Sequence, residues 1–171
     1  AAGAKSAAKA PAKTAAKATA TSALTAEATP AITAGATSLG TNVHRVGVLP
    51  TPALASLAGT GAFAAGIMVS ASHNPADDNG LKVLDGSGQK LDDTIEDELE
   101  ALIWRADELG SPGNAALGVA VDARGLVEHY VAHRSAIAEG VGAGLRIVLD
   151  CANGSGSAVG PRILAASGAR V

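Results

Sequence analysis

An apolar run that ends abruptly in a polar, serine-bearing segment is the feature that most restricts how this chain can fold. Residues 66–69 read Gly-Ile-Met-Val and are followed at once by small polar residues. This pattern predicts a buried strand that delivers Ser70 and Ser72 to a loop. The turn-forming pairs Asn-Pro at 74–75 and Asn-Gly at 79–80 predict that the loop folds back tightly on itself.

The serine loop, defined here as residues 70–82, concentrates groups that suit covalent group transfer. The hydroxyl of Ser72 can accept a group, and His73 or Lys82 can move protons. Lys82 can also neutralise the charge of a phosphate. The same residue types also fit a plain polar turn, because serine and asparagine populate turns for local hydrogen-bonding reasons. Residue types alone leave both interpretations open.

Strand-like and helix-like segments alternate along the chain. Strands are predicted at residues 43–49, 66–70, 81–84 and 145–150. Helices are predicted at residues 50–57, 94–108, 126–138 and 158–166. This alternation predicts an α/β fold with mainly parallel strand pairing.

The helix predicted at 94–108 has the clearest local signals. Asp93 can cap its first turn, with Glu96 three positions later in a capping-box-like start. One face of the helix is apolar and contains Ile95, Leu99, Leu102, Ile103 and Ala106. We interpret this helix as structural, with its acidic side chains on a solvated face.

Residues 1–30 are predicted to be a disordered, low-complexity basic tail. The first 22 residues are alanine, lysine, threonine and serine with one glycine and one proline. Lysines recur at every fourth position from 5 to 17, where like charges would repel each other on a helix, and no apolar stripe accompanies them. A nucleic-acid-binding tail and a segment translated in a shifted frame are the alternatives. Four lysines make a weak electrostatic footprint, so we do not expect a nucleic-acid partner.

Charge and cysteine content narrow the function classes further. The chain has 13 basic and 16 acidic residues, a net charge of −3. A chain with this net negative charge offers no broad basic patch that could bind nucleic acid. The single cysteine, Cys151, excludes an internal disulfide and suggests a reducing compartment. No apolar stretch approaches the roughly 18 residues that a membrane span needs, so we expect a soluble, cytoplasmic protein without a membrane partner.

Four segments in register resemble the α-D-phosphohexomutase family. Ser-Ala-Ser-His-Asn-Pro at 70–75, with Asp-Asn-Gly-Leu-Lys at 78–82, is similar to the family's phosphoserine loop. The other three segments are Val-Gly-Val-Leu-Pro-Thr-Pro-Ala-Leu at 46–54, Gly-Gln-Lys-Leu at 88–91 and Leu-Asp-Cys-Ala-Asn-Gly-Ser-Gly-Ser at 149–157. The resemblance implies three-layer α/β/α sandwich domains. Residues 31–139 would be an incomplete first domain that bears the serine loop, and residues 140–171 would begin a second, similar domain.

The resemblance implies an isomerase that moves phosphate through a phosphoserine. Ser72 matches the family's phosphoserine, which gives its phosphate to a small-molecule sugar phosphate and takes another back from the resulting bisphosphate. Ser70 is the competing serine, and we expect it to be a strand residue packed beneath the loop.

Further matched residues and a metal complete the implied site. By resemblance, His73 and Lys82 contact phosphate or assist proton transfer, and Asn74 and Asn79 belong to the phosphate-binding loop. A Mg²⁺ ion bound through the Ser72 phosphate would offset the charge that builds up during transfer. The family's metal-binding segment, Asp-Gly-Asp-Gly-Asp-Arg, does not occur in these residues, so we expect the chain alone to be inactive.

Asp78 and the segment 47–52 point to one branch of the family. They most resemble the branch that interconverts glucosamine 6-phosphate and glucosamine 1-phosphate, on the route to cell-wall amino sugars. The phosphomannomutase/phosphoglucomutase branch more often has an aromatic residue where Asp78 lies. Two alternatives stay open, namely an enzyme of that second branch and a non-catalytic remnant of such an enzyme.

Two other motifs lead to weaker hypotheses. The Gly-Ser-Gly run at 154–156 is similar to a dinucleotide-binding turn, but Val159 lies where the third glycine would be. His129 and His133 are one helical turn apart, a spacing that can ligate zinc. Tyr130 lies where a zinc protease needs glutamate, so we interpret both histidines as surface residues.

Overall fold

The structure is a computed structural model that describes residues 28–72, 74, 78–106 and 117–171. Its elements confirm the predicted α/β class. In chain order they are α1 (residues 28–38), β1 (Val43–Arg45), α2 (Thr51–Ala58), β2 (Ala65–Val69), β3 (Leu81–Asp85), α3 (Asp93–Trp104), β4 (Ala120–Asp122), a 3-10 turn (Arg124–Leu126), α4 (Val127–Ala138) and α5 (Gly160–Ala166). None of the helices in these ranges is long and apolar enough to cross a membrane.

The described strands pair in two separate two-stranded sheets. β1 and β4 are parallel, with Val43 opposite Ala120. β2 and β3 are antiparallel, with Val69 opposite Leu81. The prediction of mainly parallel pairing is therefore wrong for β2 and β3. The serine loop reverses the chain as a hairpin loop does, and so it returns β3 alongside β2 in the opposite direction.

The prediction of a strand at residues 145–150 is wrong. Here the chain forms a single parallel bridge between Arg146 and Arg170. The N–H of Ile147 donates to the Arg170 carbonyl, and the N–H of Arg170 donates to the Leu145 carbonyl, both at 2.9 Å. Val148 is 99% exposed. Because strand stability comes from neighbouring strands and packing, an apolar segment with one bridge does not become a strand.

The main core lies among α2, α4 and α5. Its buried side chains are Leu49, Ala53, Leu57, Tyr130, Val131 and Val159. The strand predicted at 43–49 is shorter than expected, because Gly47 adopts a φ of 79° and ends β1 before Leu49 enters the core. Glu128 of α4 and Arg162 of α5 form a bidentate ion pair at 3.0 and 2.6 Å. This pair and the shared core join α5 to α4.

One face of the β2–β3 ribbon packs on α2. Gly66 allows this approach, since a Cβ at that position would lie 3.2 Å from the Leu54 side chain. Leu84 is opposite Gly66 in the register and is also buried, so it lies on the same face of the ribbon. On the other face, Ile67 and Leu81 are 46% and 54% exposed. In the part of the chain that the structure describes, α2 covers one side of this ribbon.

A tight turn stabilised by Asp85 follows β3. The Asp85 carboxylate accepts hydrogen bonds from the Ser87 hydroxyl at 2.6 Å, the Ser87 N–H at 2.8 Å and the Gln89 N–H at 3.0 Å. These bonds stabilise the charged carboxylate and hold the pKa of Asp85 below its ordinary value, with the Ser87 hydroxyl as the largest cause. Gly88 completes the turn with a φ of 82°. The chain therefore leaves β3 through a tight turn that the Asp85 carboxylate stabilises.

Helix α3 differs from its prediction at both ends. It begins at Asp93 and ends at Trp104, whereas the prediction is 94–108. Residues 107 and 108 of that prediction lie outside the described residues. Asp92 occupies the N-cap position and makes no capping bond with its side chain, so the predicted cap at Asp93 is wrong. The carboxylates of Asp93 and Glu96 instead pair with Lys90, at 3.4 and 2.9 Å. The apolar face of α3 contains no buried residue.

Helix α1 was not predicted, and its first three residues fall within the predicted tail. The Thr33 hydroxyl donates to the Thr29 carbonyl at 2.8 Å, and the Thr37 hydroxyl donates to the Thr33 carbonyl at 2.9 Å. These bonds satisfy the hydroxyls along a half-buried face of the helix. A face built from small threonine and alanine residues gives little hydrophobic periodicity. Residues 1–27 of the predicted tail lie outside the described residues.

Candidate functional site

The serine loop has a closed, hydrogen-bonded base. The N–H of Ser70 donates to the Gly80 carbonyl at 2.9 Å, which extends the β2–β3 ladder by one residue pair. A Cβ on Gly80 would lie 3.0 Å from the Ser70 carbonyl oxygen, so glycine fits this close approach. The Gly80 N–H donates in turn to the side-chain oxygen of Asn79 at 2.9 Å. The two ends of the loop are therefore tied together where the strands end.

Ser72 lies in the exposed part of this loop and has a left-handed backbone. Its φ is 55°, a conformation that costs a residue with a Cβ about 1–3 kcal/mol. The Ser72 N–H donates to the Ser70 Oγ at 3.0 Å. Ala71, between the two serines, is buried, and its carbonyl accepts the Asn74 N–H at 3.0 Å. Such strain persists only where the surroundings fix it, and it is concentrated at functional sites.

Lys82 approaches the loop from β3. It lies opposite Met68 in the register, two positions along each strand from the Ser70–Gly80 pair. Because alternate residues of a strand face the same side, Lys82 and Ser70 lie on one face of the ribbon. Diagonal neighbours of this kind are about 7–8 Å apart. Lys82 is exposed, and its long side chain can reach an anion held at the loop.

The structure brings most of the predicted site residues together. Ser72, Asn74 and Asn79 are exposed on one loop, and Lys82 is at its base. His73 lies outside the described residues, so its role stays a prediction.

The described residues do not form a metal centre by themselves. Among them, no group of three or more histidine, cysteine, aspartate or glutamate side chains could hold a metal ion. His129 and His133 do line one cavity of about 330 Å³, together with Ser56, Leu57, Thr60 and Tyr130. The other polar groups of that lining are hydroxyls, from Ser56, Thr60 and Tyr130, and it contains neither a third histidine nor a carboxylate. The Mg²⁺ site stays a prediction from the family resemblance.

A second strained loop, at residues 150–154, was not recognised as strained from the sequence. Ala152 and Asn153 have φ values of 47° and 53°. The Asp150 carboxylate accepts the Ala152 N–H at 2.8 Å, so a side-chain oxygen holds a left-handed residue two positions later, as Ser70 does for Ser72. This loop belongs to one of the four segments that resemble the family. The Asn-Gly pair at 153–154 is the one sequence signal that favours a left-handed turn here.

Comparison with known proteins finds a family model that matches the part of the chain containing the serine loop. The family model for phosphoglucomutase/phosphomannomutase, alpha/beta/alpha domain I, matches residues 21–110, which is more than half of the chain. The matched region includes the whole serine loop and the turn at Gly88.

Curated relatives give a narrower similarity. A protein named phosphoglucosamine mutase from Mycolicibacterium paratuberculosis is 48% identical over 137 residues, which cover 79% of this chain and 30% of the relative. Proteins of the same name from Mycobacterium marinum and Mycobacterium leprae are 47% and 46% identical over equally long regions. The chain thus spans about 30% of the length of the relatives that it matches. It belongs to the phosphohexomutase family and is similar to the phosphoglucosamine mutases.

Proposed function

We propose that this chain is the phosphoserine-bearing part of a phosphoglucosamine mutase, and that Ser72 carries the phosphate. The observation that supports this most is the left-handed Ser72 in a loop with a hydrogen-bonded base. The similarity to proteins named phosphoglucosamine mutase favours this branch of the family over the phosphomannomutase/phosphoglucomutase branch. The proposed reaction interconverts glucosamine 6-phosphate and glucosamine 1-phosphate.

The proposed reaction consists of two phosphoryl transfers. In the first, the bond between phosphorus and the Ser72 Oγ breaks as a bond between phosphorus and the sugar O1 forms, the O1 proton passes to a base, and the Oγ takes up a proton. The product is a hexosamine bisphosphate. In the second, the bisphosphate presents its 6-phosphate to Ser72, the bond between phosphorus and O6 breaks as the Oγ–phosphorus bond forms again, the Oγ proton passes to a base, and O6 takes up a proton. No phosphate is gained or lost over the cycle.

The residues of the serine loop have distinct proposed roles. Phosphoryl transfer requires chiefly positioning and neutralisation of charge. Lys82 offsets the negative charge of the transferring phosphate, and the amides of Asn74 and Asn79 orient it. His73, by resemblance to the family, moves the proton. The closed base of the loop keeps Ser72 in place through both transfers.

A divalent metal, Mg²⁺ by family resemblance, would neutralise charge on the Ser72 phosphate when bound. Among the described residues, the phosphate on Ser72 would be the one metal ligand. We also propose a cytoplasmic location, which the free thiol of Cys151 supports.

Substrate preference tests the proposed branch. We expect the complete protein, as the cell produces it, to convert glucosamine 6-phosphate with a kcat/KM at least about tenfold above that for mannose or glucose 6-phosphate, because a site that binds the amino group leaves a polar group unpaired with the other sugars. Steady-state assays of the three sugar phosphates measure this ratio. A preference for mannose or glucose phosphate would place the protein in the other branch. No turnover of any of them, with Ser72 unphosphorylated, would identify a non-catalytic remnant.

A further inference from the structure

We propose that Ser70 is a positioning residue, whose hydroxyl holds Ser72 in the backbone conformation that phosphoryl transfer requires. This inference rests on the proposed function of Ser72 as the phosphate carrier. It gives the two serines of the loop different roles, one as the carrier and the other as its support.

Ser70 is anchored by the sheet on one side and contacts Ser72 on the other. Its N–H donates to the Gly80 carbonyl at 2.9 Å, as the last rung of the β2–β3 ladder. Its Oγ accepts the Ser72 N–H at 3.0 Å. Ser70 is also less exposed than Ser72. The residue whose oxygen holds Ser72 is therefore itself held by the β2–β3 ladder.

The hydrogen bond matters because Ser72 has a conformation that it would otherwise leave. A residue with a Cβ prefers negative φ, and the φ of Ser72 is 55°. Without the Ser70 Oγ, Ser72 can relax to negative φ, and that rotation redirects its Cβ and hydroxyl. A displacement of about 1 Å at a reacting group can slow a reaction roughly a hundredfold.

The same bond also occupies the backbone donor closest to the phosphate. The Ser72 N–H would otherwise attract the anionic phosphate that Ser72 carries, because hydrogen bonds to charged acceptors are strong. With that N–H bound to Ser70, the phosphate oxygens stay available to Lys82 and to the incoming sugar. Ser70 thus favours the outward, transferable state of the phosphoserine.

Two substitutions of Ser70 test this role in the complete protein. Ser70→Ala removes the acceptor, and Ser70→Thr keeps it. We expect Ser70→Ala to lower kcat by about 10- to 100-fold with KM for the sugar phosphate within about twofold, because only the placement of the carrier changes. Ser70→Thr is expected to retain a kcat within about threefold of wild type, because threonine also has a hydroxyl acceptor. The control Ser38→Ala removes an exposed hydroxyl on α1 that donates to the Gly35 carbonyl, and it should leave kcat unchanged.

The outcomes separate this inference from the proposed function. A wild-type kcat in Ser70→Ala, in a protein whose Ser72 is phosphorylated, would overturn the positioning role alone. Equal losses in the alanine and threonine variants, in step with a lower Tm, would also overturn it, since they would indicate packing. An active wild-type protein without phosphate on Ser72 would overturn both. If Ser70→Ala does not fold, hydrogen exchange of the Ser72 backbone N–H in the wild-type protein tests the role instead. Protection of this N–H from exchange would support its bond to Ser70, and unprotected exchange would contradict the bond.

Discussion

Replacing Ser72 by alanine is expected to lower the mutase activity of the complete protein by more than about a thousandfold. The substitution removes the oxygen that carries phosphate between the two transfers, and the reaction then has no covalent route. Stability should change by no more than about 0.5 kcal/mol, because Ser72 is exposed and alanine keeps a Cβ at the same φ. Formation of glucosamine 1-phosphate from glucosamine 6-phosphate measures the effect.

A matched serine elsewhere shows whether the loss is specific to the loop. Ser38 is also exposed, and its hydroxyl donates to a local backbone carbonyl at 2.7 Å. Ser38→Ala should retain wild-type activity. Activity in Ser72→Ala within tenfold of that control would contradict the assignment of Ser72 as the carrier.

Replacing Gly88 by alanine is expected to destabilise the protein by about 2–4 kcal/mol. Gly88 has a φ of 82°, and a Cβ there would collide with the carbonyl oxygen of Ala55 in α2. That carbonyl cannot move freely, because it also accepts the Gly59 N–H at 2.9 Å at the end of the helix. Urea denaturation gives the free energy of unfolding of the variant and of wild type.

Gly61 provides the control for this prediction. Its φ is 79°, close to that of Gly88, but a Cβ there would meet no atom within 4 Å. Gly61→Ala should therefore cost only the backbone term, about 1–2 kcal/mol. The difference between the two variants isolates the contact between the Gly88 turn and α2. Equal losses would contradict the tight packing of this turn on the helix.

The sequence could predict where the serine loop lies but not how its strands pair. The apolar run that stops at Ser70 is a local signal, and the structure bears it out with β2 at Ala65–Val69. Pro75 lies outside the described residues, so the turn expected from the Asn-Pro pair stays a prediction. The direction of β3 relative to β2 depends on the partner strand, which periodicity does not identify. The same limit explains the segment at 145–150, which has the composition of a strand but only one bridge.

The roles of the two serines could be separated only in part from the sequence. Spacing alone does not rank Ser70 and Ser72, and the family resemblance favours Ser72. Serine usually avoids a left-handed φ, so the residue type of Ser72 does not predict its conformation. We attribute that conformation to the Ser70 oxygen and the closed base of the loop. Lys82 was identified by its type, whereas its place on the same face as Ser70 follows from the strand register.

Mapping the phosphate on the native protein tests the central claim most directly. The complete protein would be purified from its own cells with phosphatases inhibited, digested, and sequenced by mass spectrometry over residues 70–82. We expect phosphate on Ser72, with Ser70 unmodified. An active protein that carries its phosphate on Ser70, or carries none in this loop, would contradict the account.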